Sequence, residues 1–289
     1  MTPKTIQIFL PDGEPAGIRV ADLTTRTVLA LAVPRNGLER FAQRPEVGHI
    51  ATYFLFGGSD EEAKPVAYIG QTEDLKKRFY QHDKDEKKEF WTVAVALISR
   101  THTFTQAHIR WLEWKSIAEA QEANRYRLEN GNAGSEPFVT EPIRADLEEI
   151  FETGSLLLEA LGFPIFRPLV SSRSEGGNRT DPPDVWTLTG PQASAKGIFS
   201  PTGFVVLKGS KCRATMTPSA KGSPFDKRRE SMTAEGVLVR EVDSLVFTED
   251  YEFKSPSGSA AIVLGRHANG STLTPLAATA AQKQIPISN

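Results

Sequence analysis

The stretch from Tyr68 to His82, YIGQTEDLKKRFYQH, decides the fold of the first half of the chain. The apolar run at residues 66–70 predicts a strand that ends on a glycine. Apolar residues four positions apart then predict a helix after a short polar turn. Arg78 and His82 have the same spacing, so they share one face of that helix. The stretch therefore predicts a strand–turn–helix unit that carries a guanidinium beside an imidazole.

Signals on both sides extend this unit into an α/β domain. Apolar runs predict further strands, at residues 5–10, 49–56 and 91–98. Helical spacing of apolar residues predicts two long helices, at residues 106–128 and 141–161. Thr105 is the expected N-cap of the first of these helices. The strand before the polar loop and the strand after it predict a hairpin, and the first strand of the chain is expected at a sheet edge.

Composition places the chain among globular proteins with more than one domain. The chain has 289 residues, 39% of them hydrophobic and 24% charged. No apolar run approaches the roughly 18 residues of a membrane span, and the N-terminus has no secretory signal pattern. The single cysteine excludes an internal disulfide and a cysteine-built zinc site. We therefore expect a cytoplasmic protein with no membrane partner.

Charge is distributed unevenly between the two halves of the chain. Residues 1–170 contain 20 Lys and Arg against 25 Asp and Glu, whereas residues 171–289 contain 14 against 11. The first half is thus more acidic than most nucleic-acid-binding domains. Residues 208–229 are strongly basic, which suits contact with a phosphate backbone but equally suits a solvated loop.

Four polar side chains of the first half are expected to converge. Tyr53 and Tyr68 belong to the two hairpin strands and can point the same way across the pair. Arg78 and His82 follow on the helix. Two phenols, a guanidinium and an imidazole suit phosphodiester hydrolysis, which needs a base for water and a cation for the phosphate. Taken singly, each residue is more often structural, and it is their order within this pattern that indicates a site.

This pattern resembles the GIY-YIG nuclease superfamily. The second name-giving motif is intact as Tyr68-Ile69-Gly70, and the spacing Y-I-G-x-T-x-x-L-x-x-R-x-x-x-H follows it. The first motif is Ala51-Thr52-Tyr53, so only its tyrosine is retained. The resemblance implies that Tyr53 is a candidate general base and Arg78 the catalytic cation, with Tyr68 and His82 in supporting roles.

Glu113 is the expected metal ligand. It stands between Ile109 and Ile117 in an i, i+4, i+8 row and so interrupts an apolar helix stripe. A carboxylate in such a place needs a partner, and a divalent cation is a suitable one. The resemblance places the single metal-binding glutamate of the family at this position, with Mg²⁺ or Mn²⁺ as the cofactor.

Further candidate residues follow the long helix or lie in basic segments. The resemblance implies an asparagine after the helix, for which Asn130 is favoured over Asn132. Nucleic-acid contacts are predicted for a set of mostly basic residues: Lys76, Lys77, Asn132, Lys208, Lys211, Arg228 and Arg229.

The second half carries a separate resemblance. Residues 247–257 and 260–270, preceded by residues 203–210, are similar to a small C-terminal domain of unknown function. That domain accompanies GIY-YIG domains in bacterial, phage and restriction-modification proteins. Ser255-Pro256-Ser257 before an alanine-rich run also predicts a helix start.

Together these observations predict a two-domain α/β (α+β) protein. We expect a GIY-YIG-like nuclease domain with a small mixed sheet at residues 1–170, then a linker at 171–195. A smaller α+β domain at 196–270 and a disordered tail at 271–289 follow.

The predicted activity is metal-dependent endonucleolytic hydrolysis of DNA. One site per chain implies a homodimer or two sequential events for cutting both strands. Two alternatives remain open: a non-catalytic nucleic-acid-binding module, and an interaction protein of a phage or restriction-modification cluster.

Overall fold

The computed structural model describes residues 3–59, 61–169, 185–268 and 272–276. They divide into two compact units, Met1–Ser59 with Lys64–Pro168, and Asp60–Ala63 with Leu169–Asn289. Each unit has its own sheet and helices, so the predicted two-domain α/β (α+β) architecture is confirmed. Most of the predicted linker and tail lies at residues 170–184 and 277–289, outside the described residues.

A seven-stranded sheet forms the centre of the first unit. Its strands are β1 (Ile6–Phe9), β2 (Arg19–Leu23), β3 (Val28–Pro34), β4 (Ala51–Gly57), β5 (Val66–Thr72), β6 (Trp91–Ser99) and β7 (Arg127–Leu128). They lie in the order β1-β2-β3-β6-β4-β5-β7. The β5–β7 pair is parallel and every other pair is antiparallel, so the sheet is mixed as predicted. Strand β1 stands at the edge, also as predicted.

Four α-helices cover the two faces of this sheet. They are α1 (Leu38–Phe41), α2 (Leu75–Asp83), α3 (Gln106–Ala123) and α4 (Glu141–Ala160). Side chains alternate along a strand, so β4 sends Tyr53 and Leu55 into the core under α1 and α2. It sends Phe54 and Phe56 into the core under α3 and α4. The hairpin is therefore buried on both sides.

Helix ends follow the chemistry of the residues at their boundaries. The Asp74 carboxylate accepts a hydrogen bond from the Lys77 amide and caps α2. Thr105 and His108 form a reciprocal cap at the start of α3. The prediction that α3 reaches residue 128 is wrong, because Asn124 adopts the left-handed conformation and ends the helix. The chain beyond it is then free to pair with β5 as β7.

The second unit is built around an eight-stranded sheet. Its strands are β8 (Val185–Gly190), β9 (Ala193–Ser200), β10 (Gly203–Val206), β11 (Lys211–Arg213), β12 (Leu238–Arg240), β13 (Ser244–Phe247), β14 (Tyr251–Phe253) and β15 (Leu273–Pro275). Its helices are α5 (Pro224–Ala234) and α6 (Pro256–Leu264). Strand β9 pairs with β8, β10 and β11, so the sheet branches at this strand.

Helix α6 is the centre of the second core. Ser255 caps it through the Gly258 amide, which confirms the predicted helix start. Residues 259–264 are all buried, so the helix has no solvent-facing stripe in its last turns. It packs against strands on several sides of the branched sheet, which explains why the run of small and aliphatic residues has no amphipathic pattern.

Two predicted boundaries are corrected by the structure, and two strands are added. Residues 185–195, assigned to the linker, form β8 and the start of β9. They were missed because buried residues there, such as Ala193 and Ala195, are small and give only a weak hydrophobic signal. Residues 273–275, assigned to the tail, form β15 on the edge of β8. Strands β2 and β3 were not predicted, although β3 pairs along its whole length with β6.

None of the helices in the described ranges is long and apolar enough to cross a bilayer.

Replacing Phe54 by alanine is expected to destabilise the first unit by about 3–5 kcal/mol, the usual cost of emptying an aromatic core position. Phe54 is fully buried and contacts the rings of Phe56 and Phe166. Urea unfolding followed by tryptophan fluorescence measures this, because Trp91, Trp111 and Trp114 all belong to this unit. Phe138→Ala, at a side chain 91% exposed, is the matched control and should change stability by less than about 0.5 kcal/mol.

Candidate active site

Tyr53 and Gly70 face each other directly across the β4–β5 hairpin. The phenol ring of Tyr53 lies over the glycine, and a Cβ at residue 70 would stand 2.5 Å from Cζ of that ring. No side chain fits in this space. The packing of the Tyr53 ring therefore requires a glycine at residue 70.

The hydroxyl of Tyr53 joins the hairpin to helix α2. Arg78 donates a hydrogen bond from Nε to this oxygen over 2.8 Å. Nε2 of His82 lies 2.7 Å from the same oxygen. Because Arg78 occupies an acceptor site of the phenol, Tyr53 is left with its proton to donate to His82. The structure thus brings three of the predicted residues into one hydrogen-bonded chain.

Burial sets the protonation of this chain. Tyr53 is fully buried, and burial, followed by the neighbouring Tyr68, raises its pKa well above the ordinary range despite the opposing effect of Arg78. His82 is 3% exposed, and burial, then the charges of Arg78 and Lys88, lower its pKa to about 4. Both groups are therefore neutral near pH 7, and the imidazole accepts the phenol proton.

Tyr68 and Lys88 lie at the more exposed end of the network. The Tyr68 ring is half-buried and packs 6.2 Å from the Tyr53 ring and 5.5 Å from that of His82, between ring centroids. The electrostatic effect of Tyr68 contributes to the raised pKa of both Tyr53 and Arg78. Nζ of Lys88 lies 3.0 Å from the Tyr68 ring centroid. A cation therefore stands over the phenol nearest to solvent.

Arg78 and Glu113 line one open cavity of about 670 Å³. Its wall comes from the end of β5, the turn into α2, and one face each of α2 and α3. Within the described residues, the Glu113 carboxylate makes no hydrogen bond or ion pair. Burial raises its pKa, and the charges of Arg78 and Arg110 act in the opposite direction. Glu113 therefore presents an unpaired, half-buried acid group opposite the guanidinium.

Asn130 supports the site from behind. Its Oδ1 accepts from the Ile69 amide over 2.8 Å, and its Nδ2 donates to the Ile69 carbonyl over 2.7 Å. Both side-chain groups are thus used by the backbone of β5. This places Asn130 as a positioning residue for the strand that carries Tyr68 and Gly70. Asn132 is exposed in the following loop.

The predicted nucleic-acid contacts are only partly accessible. Lys76 and Lys77 are exposed on α2, and Lys77 lines the cavity. In the second unit, Lys208 is exposed, and Lys211 is exposed and ion-paired with Glu241 at 3.3 Å.

The prediction that Arg229 contacts nucleic acid is wrong. It is only 4% exposed, and its guanidinium bonds to Met216 and to the Arg213 carbonyl. Arg228 is half-buried against Tyr251 and Phe253, with its centre 5.8 and 5.5 Å from their ring centroids. The basic stretch of the sequence is therefore largely built into the second unit.

A family model matches the C-terminal part of the chain. It is described as a domain of unknown function (DUF4357), and the match covers residues 186–273. The predicted C-terminal domain of unknown function is confirmed, and it begins near residue 186 rather than at 196. No match to a GIY-YIG family is found, so that resemblance stays a prediction. No curated protein and no solved structure matches the chain.

Seven residues at the cavity or beside it escaped prediction. Lys88 stands over Tyr68, and the cavity is lined by Gln71, Thr72, Glu73, Asp74, Gln81 and Gln106. Glutamines give no periodic signal, and Lys88 is part of a charged run that suggests a surface loop. The available clue was Asp85, whose carboxylate caps the short turn Glu86–Lys88.

Gly70→Ala is expected to displace the Tyr53 ring and separate its hydroxyl from Arg78 and His82. The cost is about 1–3 kcal/mol of stability, as for other overpacked core positions. Thermal unfolding and the His82 ring resonances measure the two effects. Gly48→Ala is the control, since a Cβ there meets no atom within 4 Å. Unchanged His82 resonances in Gly70→Ala would contradict the close packing.

His82 is expected to remain neutral down to about pH 4. An unfolded chain takes up this proton near pH 6.5, so the free energy of unfolding falls as pH decreases from about 6.5 to about 4 and is then insensitive to this group. Titration of the histidine ring resonances, with His82→Gln to assign the signal, measures the midpoint. A His82 midpoint near 6.5 would disprove the buried Tyr53–His82 pair.

Proposed function

We propose that the first unit is a metal-dependent endonuclease that hydrolyses phosphodiester bonds of DNA through a GIY-YIG-type site. The observation that carries the proposal is that Arg78 and Glu113 line the same cavity, with Tyr53 and His82 bonded behind Arg78. A site that binds only an anion does not need an unpaired carboxylate such as Glu113, because a carboxylate repels phosphate. A carboxylate facing a cation does suit a site that must hold both phosphate and a metal ion.

The residues of the cavity fit a divalent metal with few protein ligands. Within the described residues, no group of three His, Cys, Asp or Glu side chains is arranged to hold a metal, so a closed protein cage is not formed. One free carboxylate, completed by water and a phosphate oxygen, is an arrangement that Mg²⁺ accepts and Mn²⁺ shares. Glu113 would hold the ion, and the bound ion would supply charge stabilisation for the phosphate and a water of lowered pKa.

Arg78 is assigned to the phosphate. Its Nε is fixed by Tyr53, and its remaining N–H groups lie at the cavity with only a long contact, 3.4 Å, to Gln81. Burial lowers the pKa of Arg78, but the interactions with Tyr53 and Tyr68 together outweigh burial, so the pKa of Arg78 is raised. The guanidinium therefore stays charged and oriented, as stabilisation of the pentavalent transition state requires.

The phenols are assigned to the attacking water. Tyr53 itself is fully buried, so the neighbour that meets water is the half-buried Tyr68. In this assignment Tyr68, acting as the phenolate beside Lys88, takes a proton from the water that attacks phosphorus and then gives it to the departing oxygen. Tyr53 and His82 stay neutral and hold Arg78 in position.

The altered first motif does not weaken the proposal. Ala51 is buried in the core under α1 and α2, and Thr52 is buried on the opposite face, where its hydroxyl donates to the Ile109 carbonyl at 3.3 Å. Neither residue lines the cavity. The two substitutions relative to the motif are therefore accommodated by strand packing, while the phenol that matters is retained.

Arg78→Ala and Glu113→Gln are each expected to reduce nicking of supercoiled plasmid by at least about 100-fold, the usual loss when one charge-stabilising group is removed. Gel electrophoresis with Mg²⁺ or Mn²⁺ measures it, and chelation should stop the reaction in the wild type. Arg40→Ala on α1 and Glu122→Gln on α3 are matched controls, since both are exposed and neither lines the cavity.

Equal nicking by wild type and both site variants would reveal a contaminating nuclease and refute the assignment. Failure of the wild type to cut supercoiled, branched and single-stranded DNA with either metal would refute the nuclease and leave a binding module.

A further inference from the structure

The catalytic cavity continues along helix α3 into two smaller ones. A second cavity of about 460 Å³ shares Gln106 with the first, and a third of about 340 Å³ shares Glu113 with it. Arg110 and Pro137 line both smaller cavities. Since Gln106, Arg110 and Glu113 occur at intervals of four and three residues, they form one face of α3. The three cavities are therefore one groove that runs along this face.

Arg110 gives the groove a second cation. Its side chain is exposed, and within the described residues it has no hydrogen bond or ion pair. It lines both smaller cavities, one turn from Glu113 on α3. An unpaired guanidinium here has the geometry and charge to bind a second phosphate next to the one at Arg78.

The far wall of the groove is the loop at residues 134–138, which is anchored to α3 and carries a solvent-exposed aromatic ring. Nε1 of Trp111 donates to Glu136 over 3.1 Å, and Nε1 of Trp114 donates to the Gly134 carbonyl over 3.3 Å. Glu136 also pairs with Arg144 at 2.8 Å, so its charge is neutralised. Phe138 follows directly and is 91% exposed, the most exposed aromatic among the described residues.

We propose that this groove binds one nucleic-acid strand, with a phosphate on Arg110 and an unpaired base stacked on Phe138. The proposal rests on the proposed nuclease function and names its substrate class: DNA with a single-stranded or flapped segment beside the cut. The ring is held by a fixed loop and its face is open, which is the arrangement used to stack bases in single-strand binding sites.

The distance along the groove supports an unpaired base near the cleaved bond. Gln106 and Glu113 are seven residues apart, or about 10 Å along the helix axis. This corresponds to about three nucleotides of a stacked strand, at about 3.4 Å each. In a duplex, the bases over this distance face their partners and leave no π-face for Phe138. A strand that is unpaired a few nucleotides from the cut does offer one.

Binding without cleavage isolates this proposal from the chemistry. Fluorescence anisotropy with full-length protein in EDTA compares three labelled probes: a single strand, a blunt duplex and a duplex with a single-stranded flap. Phe138→Ala and Phe138→Leu should weaken single-strand and flap binding roughly 5- to 150-fold, the loss of one base–aromatic stack. Phe138→Tyr should bind as wild type does, because it keeps the ring. Arg110→Ala should weaken all probes and lower the salt slope by about one.

Phe9→Ala is the matched control, an exposed phenylalanine on edge strand β1 that should bind every probe as wild type does. Wild-type affinity of Phe138→Ala for flap and single strand would overturn the proposal while leaving the nuclease intact. Equal weakening on the blunt duplex would overturn the unpaired base in favour of a duplex wedge. The expected binding pattern without cleavage by any metal would support the strand site and refute the nuclease.

Discussion

The Tyr53 hydroxyl holds together parts of the first unit that are distant in sequence. It lies 2.8 Å from Nε of Arg78 and 2.7 Å from Nε2 of His82, so one oxygen atom fixes the position of α2 relative to the hairpin. The contact is possible only because Gly70 has no side chain under the ring. Sheet pairing, helix spacing and the absence of a Cβ are thus separate constraints that meet at one atom.

The site has a buried layer and an open layer with different electrostatic properties. Behind the wall, Tyr53 and His82 are neutral and shielded, and their burial opposes the appearance of charge. At the wall, Arg78 and Glu113 are charged groups that face water and each other. Tyr53 and His82 in the buried layer orient the Arg78 side chain, while Arg78 and Glu113 in the open layer are available to contact a ligand in the cavity. Rigid support behind a solvated face keeps Arg78 oriented toward the cavity before anything binds there.

Residues that carry a periodic or spaced signal could be predicted from the sequence. The hairpin, α2 and the convergence of Tyr53, Arg78 and His82 follow from strand alternation and from spacing of four residues. The end of α3 did not follow, because it depends on a left-handed backbone at Asn124 rather than on composition.

Burial of charged groups also escaped prediction. Arg229 is basic in the sequence yet enclosed in the fold, because Met216 and the Arg213 carbonyl supply partners from elsewhere in the chain. Strand β9 was missed for a related reason. Three of its four buried positions are Ala193, Ala195 and Gly197, which give little hydrophobic signal, and a Cβ at Gly197 would clash with the Phe204 ring.

The paired contacts of Asn130 have a consequence for the behaviour of the protein at high concentration. Strand β7 is only two residues long and covers β5 at Val66 and Ala67. The carboxamide then occupies the amide and carbonyl of Ile69, as a neighbouring strand would do. An uncovered strand edge is a template for pairing between molecules. The Asn130 side chain thus pairs the backbone groups of β5 that the short strand β7 does not reach, and it protects this edge from pairing with another molecule.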